Sequence, residues 1–430
     1  MIVVIGGGIT GLAIGHELLG SGSDFIILEA SDRVGGVIRS GQVGDHVLDW
    51  GPQRGRLTPD FLERIRKLRL DDELLVAEAD LGLLIYRDGG LRRVPFSIPE
   101  MFTTDALSLR GAFRVLLEPI TGGLRDKERV DAYFRRKVGS EAYETLIGPF
   151  FGGLYGSNPA DMDVEVALTP ILNRAGVRRS LVAPLIKRGR VSAAPAFSFQ
   201  NGMERLPQAM AHTLGGRVRL RAPVKTISAD GSGWAVTIED TGERIKAEQI
   251  VIATSAPAAA KLLEHQVPRA AGAIQALNHN PIAIVHVTAD FEADAMGFQV
   301  AFAESHRALR GVTFQHCLFD RPRLFSTFLG GAFTPAIVDA DDTLLAKTAM
   351  KEFEETTGAP AEAISVWRTR MPAWDTSWRA LKDLRLPDGL HVAGSWHSRA
   401  GLPGRFAEAR SVTASILGVS TQRPDGQVLS

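Results

Sequence analysis

The sequence has little that would support a secreted or a nucleic-acid-binding protein. Cys317 is the one cysteine among 430 residues, so no disulfide can form within the chain and a reducing compartment is favoured. The 49 basic and 49 acidic residues give a formal net charge of zero, whereas a nucleic-acid partner would favour a basic excess. Hydrophobic residues make up 45% of the chain, which is typical of a globular protein with a sizeable core.

Long apolar stretches are absent as well. No stretch of roughly 18 apolar residues occurs, so no transmembrane helix is expected. The first apolar run, residues 2–5, opens directly into glycines and lacks the length of a secretory signal, so the fold is expected to begin at residue 1. These features favour a cytoplasmic protein, and an amphipathic surface could still attach it peripherally to the inner face of the cell membrane.

The clearest motif lies in the first forty residues. Residues 2–5 and 25–28 predict two short buried strands, with a glycine turn and a helical pattern between them. Such a turn allows a tight bend, a close approach to a pyrophosphate and close packing of the following helix. Its GxGxxG glycines are Gly6, Gly8 and Gly11. Glu29 ends the second strand, where an acid can accept hydrogen bonds from ribose hydroxyls, so a dinucleotide site is predicted.

A second glycine pair follows that acid. From Glu29 the chain reads Glu-Ala-x-x-Arg-x-Gly-Gly, which contains Ala30, Arg33, Gly35 and Gly36. This run resembles the signature of the flavin amine oxidase superfamily, and residues 49–52 resemble the acid-x-Gly-Pro turn that this superfamily places near the flavin, with Gly51 and Pro52. The resemblance implies FAD as the cofactor. The paired glycines would let the backbone run along the FAD, and Arg33 would neutralise pyrophosphate charge.

Longer stretches resemble the protoporphyrinogen oxidase and coproporphyrinogen III oxidase family more than other branches of this superfamily. They follow the family order over nearly the whole chain, at residues 128–139, 148–159, 197–207, 309–331, 371–374 and 389–403. The resemblance implies an α/β fold in which a discontinuous Rossmann-like FAD-binding domain is combined with a mixed-sheet α+β substrate domain and an inserted helical domain.

The strand pattern and this resemblance together suggest domain boundaries. Residues 1–82, 203–262 and 384–430 are assigned to the FAD-binding domain, and residues 83–96, 187–202 and 263–383 to the substrate-binding domain. Residues 97–186 form the helical insertion, which contacts the membrane surface in the family. A basic run on its predicted helix, from Arg129 to Lys137, fits either a solvated face or an anionic membrane surface. Residues 419–430 are polar and predict a loose tail.

The resemblance also implies a reaction. A porphyrinogen would be oxidised to the porphyrin in haem and tetrapyrrole biosynthesis by successive hydride transfers to flavin N5, with O₂ as acceptor and handover of product to a chelatase. The sequence shows no Ser-His-Asp arrangement, zinc-type spacing or suggestive carboxylate pair. This agrees with a reaction in which the flavin carries the electron chemistry. We expect no catalytic side chain and no metal site.

Further site residues are carried over from the resemblance. For FAD these are Val224, Trp374, Gly394, Gly401, Leu402 and Pro403. For the porphyrinogen they are Gly152, Gly153, Val300 and Phe328.

Two departures from the family pattern leave the substrate open. The family places an Arg for a propionate where this chain has Leu83, so carboxylate recognition must come from elsewhere or be absent. Arg54, Arg56 and Arg87 are the candidates, and Arg54 is preferred because it follows the Gly-Pro turn. The C-terminal motif keeps its Gly-x-Pro core but loses an Asp-Cys pair. Protoporphyrinogen IX and coproporphyrinogen III both remain, as do a superfamily oxidase acting on an amine or polyene and a flavin-binding relative without turnover.

Overall fold

A computed structural model of the chain describes residues 1–419, apart from positions 80, 126, 175, 176, 178, 184–193, 232, 399 and 400. The predicted polar tail lies, except for Val419, outside the described residues. In the described part of the chain the strands are β1 (Ile2–Ile5), β2 (Phe25–Leu28), β3 (Ser40–Val43), β4 (His46–Asp49), β5 (Gly55–Arg56), β6 (Leu74–Val76), β7 (Gly82–Arg87), β8 (Gly90–Arg93), β9 (Ala196–Phe199), β10 (Val218–Arg219), β11 (Val224–Asp230), β12 (Gly233–Ile238), β13 (Arg244–Ala247), β14 (Gln249–Ile252), β15 (His279–Ala289), β16 (Ala295–Val300), β17 (Leu309–Phe314), β18 (Leu324–Gly330), β19 (Ala361–Pro372) and β20 (Leu390–Val392). The helices of the same part are α1 (Ile9–Gly20), α2 (Pro59–Lys67), α3 (Ile98–Thr103), α4 (Leu109–Leu116), α5 (Val130–Val138), α6 (Ser140–Ala142), α7 (Gly148–Tyr155), α8 (Thr169–Arg174), α9 (Arg205–Leu214), α10 (Ala256–Leu263), α11 (Pro268–Gln275), α12 (Gln315–Phe319), α13 (Asp342–Thr357) and α14 (Leu402–Ile416).

A parallel sheet brings together strands from distant parts of the chain. Its order is β10-β2-β1-β14-β20, and each neighbouring pair is parallel. β1 is buried along its whole length because layers cover both faces of the sheet. Ile2 and Val4 pack in the cluster that contains α1, whereas Val3 and Ile5 pack with β12 and α10. The predicted α/β class, with a nucleotide-binding sheet that returns late in the chain, is confirmed.

A second sheet is mixed and forms the other large layer. Its order is β19-β15-β18-β17-β16-β7-β8, in which β16 and β7 are parallel and the other pairs are antiparallel. Alternate residues of β15 face opposite sides. Ala283 and Val285 pack in the core cluster that contains α13, whereas Ile282 and Ile284 line a large cavity. This sheet therefore provides one wall of the candidate site.

Strand β9 packs with the nucleotide-binding part of the chain. It pairs antiparallel with β5 and β6, and Phe197 and Phe199 are fully buried in the same cluster as β1 and α1. The sequence pattern predicts residues 187–202 to belong to the substrate domain, whereas the described residues 194–202 pack with the nucleotide-binding part. The reason is that their aromatic side chains complete the core beneath α2 and α14. We propose a division in which 194–202 belong to the FAD-binding domain and the other boundaries stay as predicted.

The helices from α3 to α8 form a separate cluster around Tyr133, Phe134 and Tyr143. The basic run of α5 does not form a free surface, because acidic side chains pair with its cations. These pairs are Lys137–Glu118, Arg136–Glu128, Arg135–Glu144 and Arg129–Asp163. Arg129 and Arg135 keep 41% and 39% of their side-chain surface exposed, so the run is partly solvated, but it does not form the free basic surface that a membrane contact would use.

Among the described residues, no helix is both long enough and apolar enough to cross a membrane.

Candidate active site

A cavity of about 1260 Å³ lies between the two large sheets and the helical unit. Gly6 and Gly35 line it from the nucleotide-binding part, Phe328 from the mixed sheet and Gly152 from α7. Nucleotide-binding features and a largely apolar wall therefore share one continuous space.

The first glycine turn has the geometry that its sequence predicts. Gly6 adopts a φ of 113°, which favours glycine, and a Cβ there would lie 2.8 Å from the carbonyl oxygen of Ala253. A Cβ on Gly11 would overlap the carbonyl oxygen of Gly6, so α1 packs this closely only because residue 11 is glycine. Gly11 does not line the cavity itself; it sets the position of the helix. The N-terminus of α1 is thereby directed at the space lined by Gly8 and Thr10.

Glu29 lines the cavity at the end of β2, together with Ala30. Its Oε2 accepts a hydrogen bond of 2.6 Å from the Gly7 N–H, and its Oε1 accepts from the N–H and hydroxyl of Ser31. These bonds fix the carboxylate beside the glycine turn. Because a carboxylate has about four acceptor positions, it can still accept from a ribose hydroxyl.

The second glycine pair lies against the first. Gly35 and Gly8 form an isolated parallel bridge, and a Cβ on Gly36 would lie 3.3 Å from the Cα of Gly8. Both Gly35 and Gly36 line the cavity. The two glycine-rich segments are separated in sequence but adjacent in space. They form one narrow wall suited to an extended pyrophosphate.

Arg33, expected to neutralise pyrophosphate charge, is not among the residues that line the cavity. Its guanidinium pairs with Glu204 at 3.0 Å and donates to the carbonyls of Val34, Ile38 and Gly36. Those carbonyls belong to its own glycine loop. Arg33 therefore shapes the loop, and its charge is already balanced by Glu204.

The Gly51-Pro52 turn lines the cavity next to the glycine loop. Asp49, just before it, is buried and accepts hydrogen bonds from the Ser40 hydroxyl and the Met203 N–H. Arg321 completes the arrangement through an ion pair of 2.8 Å with Asp49. This buried network holds the turn in place from three parts of the chain.

The C-terminal motif also reaches the cavity, through Gly394, Gly401 and Leu402. Arg405, on the first turn of α14, donates to the carbonyls of Gly394 and Ser398, and burial lowers its pKa to about 10. Pro403 is not among the residues that line the cavity. Gly401 has a φ of 86°, so this sharp entry into α14 favours glycine.

These features fit an FAD. The glycine walls, the N-terminus of α1 and Glu29 suit its pyrophosphate and ribose. Val224, Trp374 and Gly394 line further parts of the same space, as expected from the resemblance.

The apolar part of the cavity contains most of the residues expected to contact a substrate. Leu83, Gly152, Gly153 and Phe328 all line it. Val300 does not: its side chain is fully buried in the core beside α13. Gln299, one residue earlier on β16, lines the cavity instead, because successive side chains of a strand face opposite sides.

Trp374 lines the cavity with a φ of 52°, and its ring stacks on Trp378 at 5.2 Å between centroids. Trp378 is 3% exposed and donates through Nε1 to the carbonyl of Trp396. It lies behind Trp374 and does not line the cavity. The pair is therefore a stack with one exposed side, not an aromatic cage with two walls.

The three arginines considered for carboxylate binding have different surroundings. Arg87 pairs with Asp88 and donates to Ala106 and Thr145, outside the cavity. Arg56 lines the cavity but donates to the carbonyl of Ala194 and is exposed. Arg54 lies deep in the cavity wall, where its Nη1 has no hydrogen-bond partner and burial lowers its pKa to about 10.

Sequence reasoning missed several lining residues, of which Arg310 has the most chemical consequence. It is the second residue of β17, at an irregularity in the pairing with β18, and its Nη1 also lacks a partner. Gln299, Phe302 and Phe333 line the same region. No short motif marks these positions. Which of these side chains face the cavity depends on the register of the strands, and the sequence alone does not give that register.

No group of three or more His, Cys, Asp or Glu side chains suited to a metal ion occurs among the residues that the structure describes.

Known proteins share both the sequence pattern and the fold. A family model described as flavin containing amine oxidoreductase matches residues 9–417. Chloroplastic protoporphyrinogen oxidase of Nicotiana tabacum is 24% identical, over 96% of this chain and 84% of the relative. Coproporphyrinogen III oxidase of Bacillus subtilis is 23% identical, over 97% of each.

Solved structures show the same architecture. A candidate protoporphyrinogen oxidase from Exiguobacterium sp. 255-15 superimposes with a TM-score of 0.77 at 21% identity, covering 96% of this chain and 98% of that one. Putrescine oxidase bound to putrescine superimposes with a TM-score of 0.72 at 16% identity, covering 97% and 98%. Because these identities are low, the structures establish the fold and leave the substrate to be argued from the site.

Proposed function

The chain belongs to the flavin containing amine oxidoreductase family, and on that premise we propose that this FAD-dependent oxidoreductase oxidises a porphyrinogen to the porphyrin. The substrate is protoporphyrinogen IX or coproporphyrinogen III, and the reaction belongs to haem and tetrapyrrole biosynthesis. The names of the relatives from tobacco and Bacillus subtilis support this choice.

The observation that carries the proposal is the cavity itself. Its volume of about 1260 Å³ exceeds the roughly 300–1,000 Å³ of an ordinary ligand site, and both the glycine walls and a broad apolar wall face it. Phe150, Phe302, Phe328 and Phe333 supply aromatic surface on the substrate side. A space of this size and lining suits a flat, greasy macrocycle held against a flavin.

The protein contributes position and exclusion of water to the proposed reaction. When bound, FAD supplies the hydride acceptor for the macrocycle. Phe328 and Ile284, on neighbouring strands, provide an apolar surface, while Gly152 and Gly153 let α7 approach closely. A Cβ on Gly153 would lie 2.5 Å from Oε1 of Gln299, so a larger residue would displace that amide. No protein base is required, because the product gains aromaticity when hydride and proton leave. O₂ is the proposed final acceptor.

An amine substrate is less well supported. An amine oxidase would be expected to show an aromatic cage, and Trp378 is buried behind Trp374 rather than opposite it. The fold likeness to putrescine oxidase keeps this alternative in the test. A polyene substrate would pack against the apolar wall equally well, but it has no polar group that the buried arginines of the cavity could bind.

We also propose that an apolar stripe on the helical unit contacts a membrane surface. Leu109, Phe113 and Leu117 follow one another at intervals of four along α4 and its end, and they are 62%, 61% and 53% exposed. Ile120 extends this apolar stripe and is 82% exposed. The stripe supports peripheral attachment to a membrane surface, from which product would pass to a chelatase. Sedimentation with lipid vesicles tests this, with Phe113→Ser and Ile120→Ser expected to remove binding and exposed Leu344→Ser to retain it.

Steady-state assays under air test the reaction. FAD-loaded protein is expected to produce fluorescent porphyrin from at least one of the two porphyrinogens well above the rate of autoxidation. Amines and polyenes are tested as alternative substrates in parallel assays. A rate equal to autoxidation with both porphyrinogens would refute the proposal, and turnover of an amine alone would favour the alternative.

A further inference from the structure

Two arginines in the cavity wall have no acidic partner. Arg54 and Arg310 take part in no ion pair among the residues that the structure describes, and Nη1 of each is buried without a hydrogen-bond partner. Both side chains retain accessible surface and both line the cavity. Burying a cation without compensation is costly, so such groups are expected to meet an anion when the site is filled.

The surroundings of Arg310 show why the protein itself does not supply that anion. Its guanidinium lies 4.8 Å from the ring centre of Phe333, and its Nη2 donates over 3.4 Å to the carbonyl of Val300. The nearby carboxylate of Glu352 is committed to the N–H groups of Ala308 and Leu309, at 3.1 and 2.7 Å. Burial lowers the pKa of Arg310 to about 10, so the side chain still carries its charge at neutral pH.

Arg54 has fewer hydrogen-bond partners than Arg310 among the described residues. Arg56 is the charged group that acts on it, and that cation lowers the pKa of Arg54 further than burial does alone. No described side chain or carbonyl accepts a hydrogen bond from its guanidinium. Both arginines therefore present free donors to the contents of the cavity.

The two arginines lie towards opposite ends of β17. Arg310 is the second residue of that strand, and Gln315 follows its end. Nε2 of Gln315 donates over 2.9 Å to Oε1 of Gln53, which places Gln53, and Arg54 beside it, at the far end. At about 3.3 Å per residue, the five steps of backbone from residue 310 to 315 span at most roughly 17 Å. Gly311 and Thr313 line the cavity between them.

We propose that Arg54 and Arg310 bind carboxylates at opposite edges of the substrate, so that the preferred substrate is a tetrapyrrole with a carboxylate on every ring. This inference rests on the proposed function and narrows it. Coproporphyrinogen III carries propionates on all four rings, whereas protoporphyrinogen IX has them along one edge and vinyl groups along the other. A guanidinium at each end therefore matches coproporphyrinogen III. With protoporphyrinogen IX, one of the two cations would face a vinyl group.

This arrangement also accounts for Leu83. The side chain lines the cavity without charge, and Arg54 and Arg310, supplied by other elements, take over recognition of carboxylates. Each planar guanidinium can form two parallel hydrogen bonds with a carboxylate, which a single lysine cannot.

The test measures binding to the FAD-loaded protein by fluorescence titration with coproporphyrin III and protoporphyrin IX, the stable products. Wild type is expected to bind coproporphyrin III more tightly. Arg310→Gln and Arg54→Gln should each weaken coproporphyrin III binding about tenfold or more, which is the usual loss for a charge-assisted hydrogen bond. Only one of the two variants should weaken protoporphyrin IX binding, because its propionates reach one end. Arg310→Lys should restore part of the loss.

Arg93→Gln is the matched control, since Arg93 is 61% exposed and lies outside the cavity. Both variants are expected to retain FAD, and loss of FAD from Arg54→Gln would overturn the assignment of Arg54. Coproporphyrin III binding within twofold of wild type in both variants would overturn the inference as a whole.

Turnover separates this inference from the proposed function. If the protein oxidises porphyrinogens but neither arginine variant weakens coproporphyrin III binding, the assignment of the two arginines to carboxylates is wrong and the proposed function stands. If neither porphyrinogen is oxidised while both variants lose coproporphyrin III binding, that assignment stands and the proposed function is wrong.

Discussion

Nε2 of Gln315 donates a hydrogen bond of 2.9 Å to Oε1 of Gln53, and this contact joins the mixed sheet to the turn that follows Gly51-Pro52. Both amides are buried, at 1% and 6% exposure. Gln315, the first residue of α12, also donates over 3.2 Å to the hydroxyl of Ser326 on β18, so its side chain is held against the mixed sheet while it reaches across. This amide pair, together with the Asp49–Arg321 ion pair, therefore helps to set the relative position of the nucleotide wall and the substrate wall.

Replacing Gln315 with Leu is expected to loosen that junction. The Gln53 amide would lose its partner while buried, which costs about 1–3 kcal/mol, and the misplaced turn should raise KM several-fold. Urea unfolding and steady-state kinetics measure both effects. Gln208→Leu, at an exposed position on α9, is the control and is expected to change neither. Unchanged kinetics in Gln315→Leu would show that the junction does not position the substrate.

Gly11→Ala is expected to abolish retention of FAD. The added Cβ would overlap the carbonyl oxygen of Gly6, so α1 or the glycine turn must move. The absorbance of bound flavin after gel filtration measures the loss. Gly20→Ala is the matched control in the same helix, because nothing lies within 4 Å of its added Cβ. That variant should retain FAD fully; equal retention in both variants would contradict the proposed cradle.

Lys137→Met is expected to destabilise the helical unit strongly. The ammonium lies 2.5 Å from Glu118, both side chains are fully buried, and its removal leaves a buried carboxylate without its cation. Such a loss costs about 3–5 kcal/mol, measured by urea unfolding. Lys67→Met removes a surface pair with Glu63 in which Lys67 is 72% exposed, and should cost less than about 0.5 kcal/mol. Similar costs for both variants would refute the structural role of the buried pair.

His286 is expected to contribute to acid sensitivity. Burial lowers the pKa of His286 to about 4, below the ordinary imidazole value of 6.5, and the Arg321 cation acts in the same direction. The unfolded chain therefore binds the proton first as pH falls, so stability is lost between about pH 6.5 and pH 4. His286→Gln should flatten the fall in unfolding free energy over that window, by up to about 3 kcal/mol. A slope identical to wild type would mean that other groups cause the acid sensitivity.

Local motifs could be predicted from the sequence, whereas positions set by register could not. Gly6, Gly8 and Gly11 constrain the backbone through their own lack of a side chain, so their spacing sufficed to predict the turn. Val300 and Gln299 differ by one position on β16, and only the pairing of that strand decides which of them lines the cavity.

Charged residues illustrate the same limit. Arg33 lies within a recognisable motif, yet Glu204, 171 positions away, pairs with its guanidinium. Arg310 has no motif around it, and its importance follows because no described acidic side chain pairs with it, the nearby Glu352 being committed to backbone N–H groups. Partners that are distant in sequence therefore decide which arginines are free to bind an anion, and spacing alone does not reveal them.

Anaerobic mixing of the FAD-loaded protein with each porphyrinogen, followed by flavin absorbance, tests the central claim most directly. The account predicts bleaching of the oxidised flavin band by coproporphyrinogen III and slower or weaker bleaching by protoporphyrinogen IX, with porphyrin formed in the same step. Flavin that stays oxidised with both porphyrinogens would contradict it.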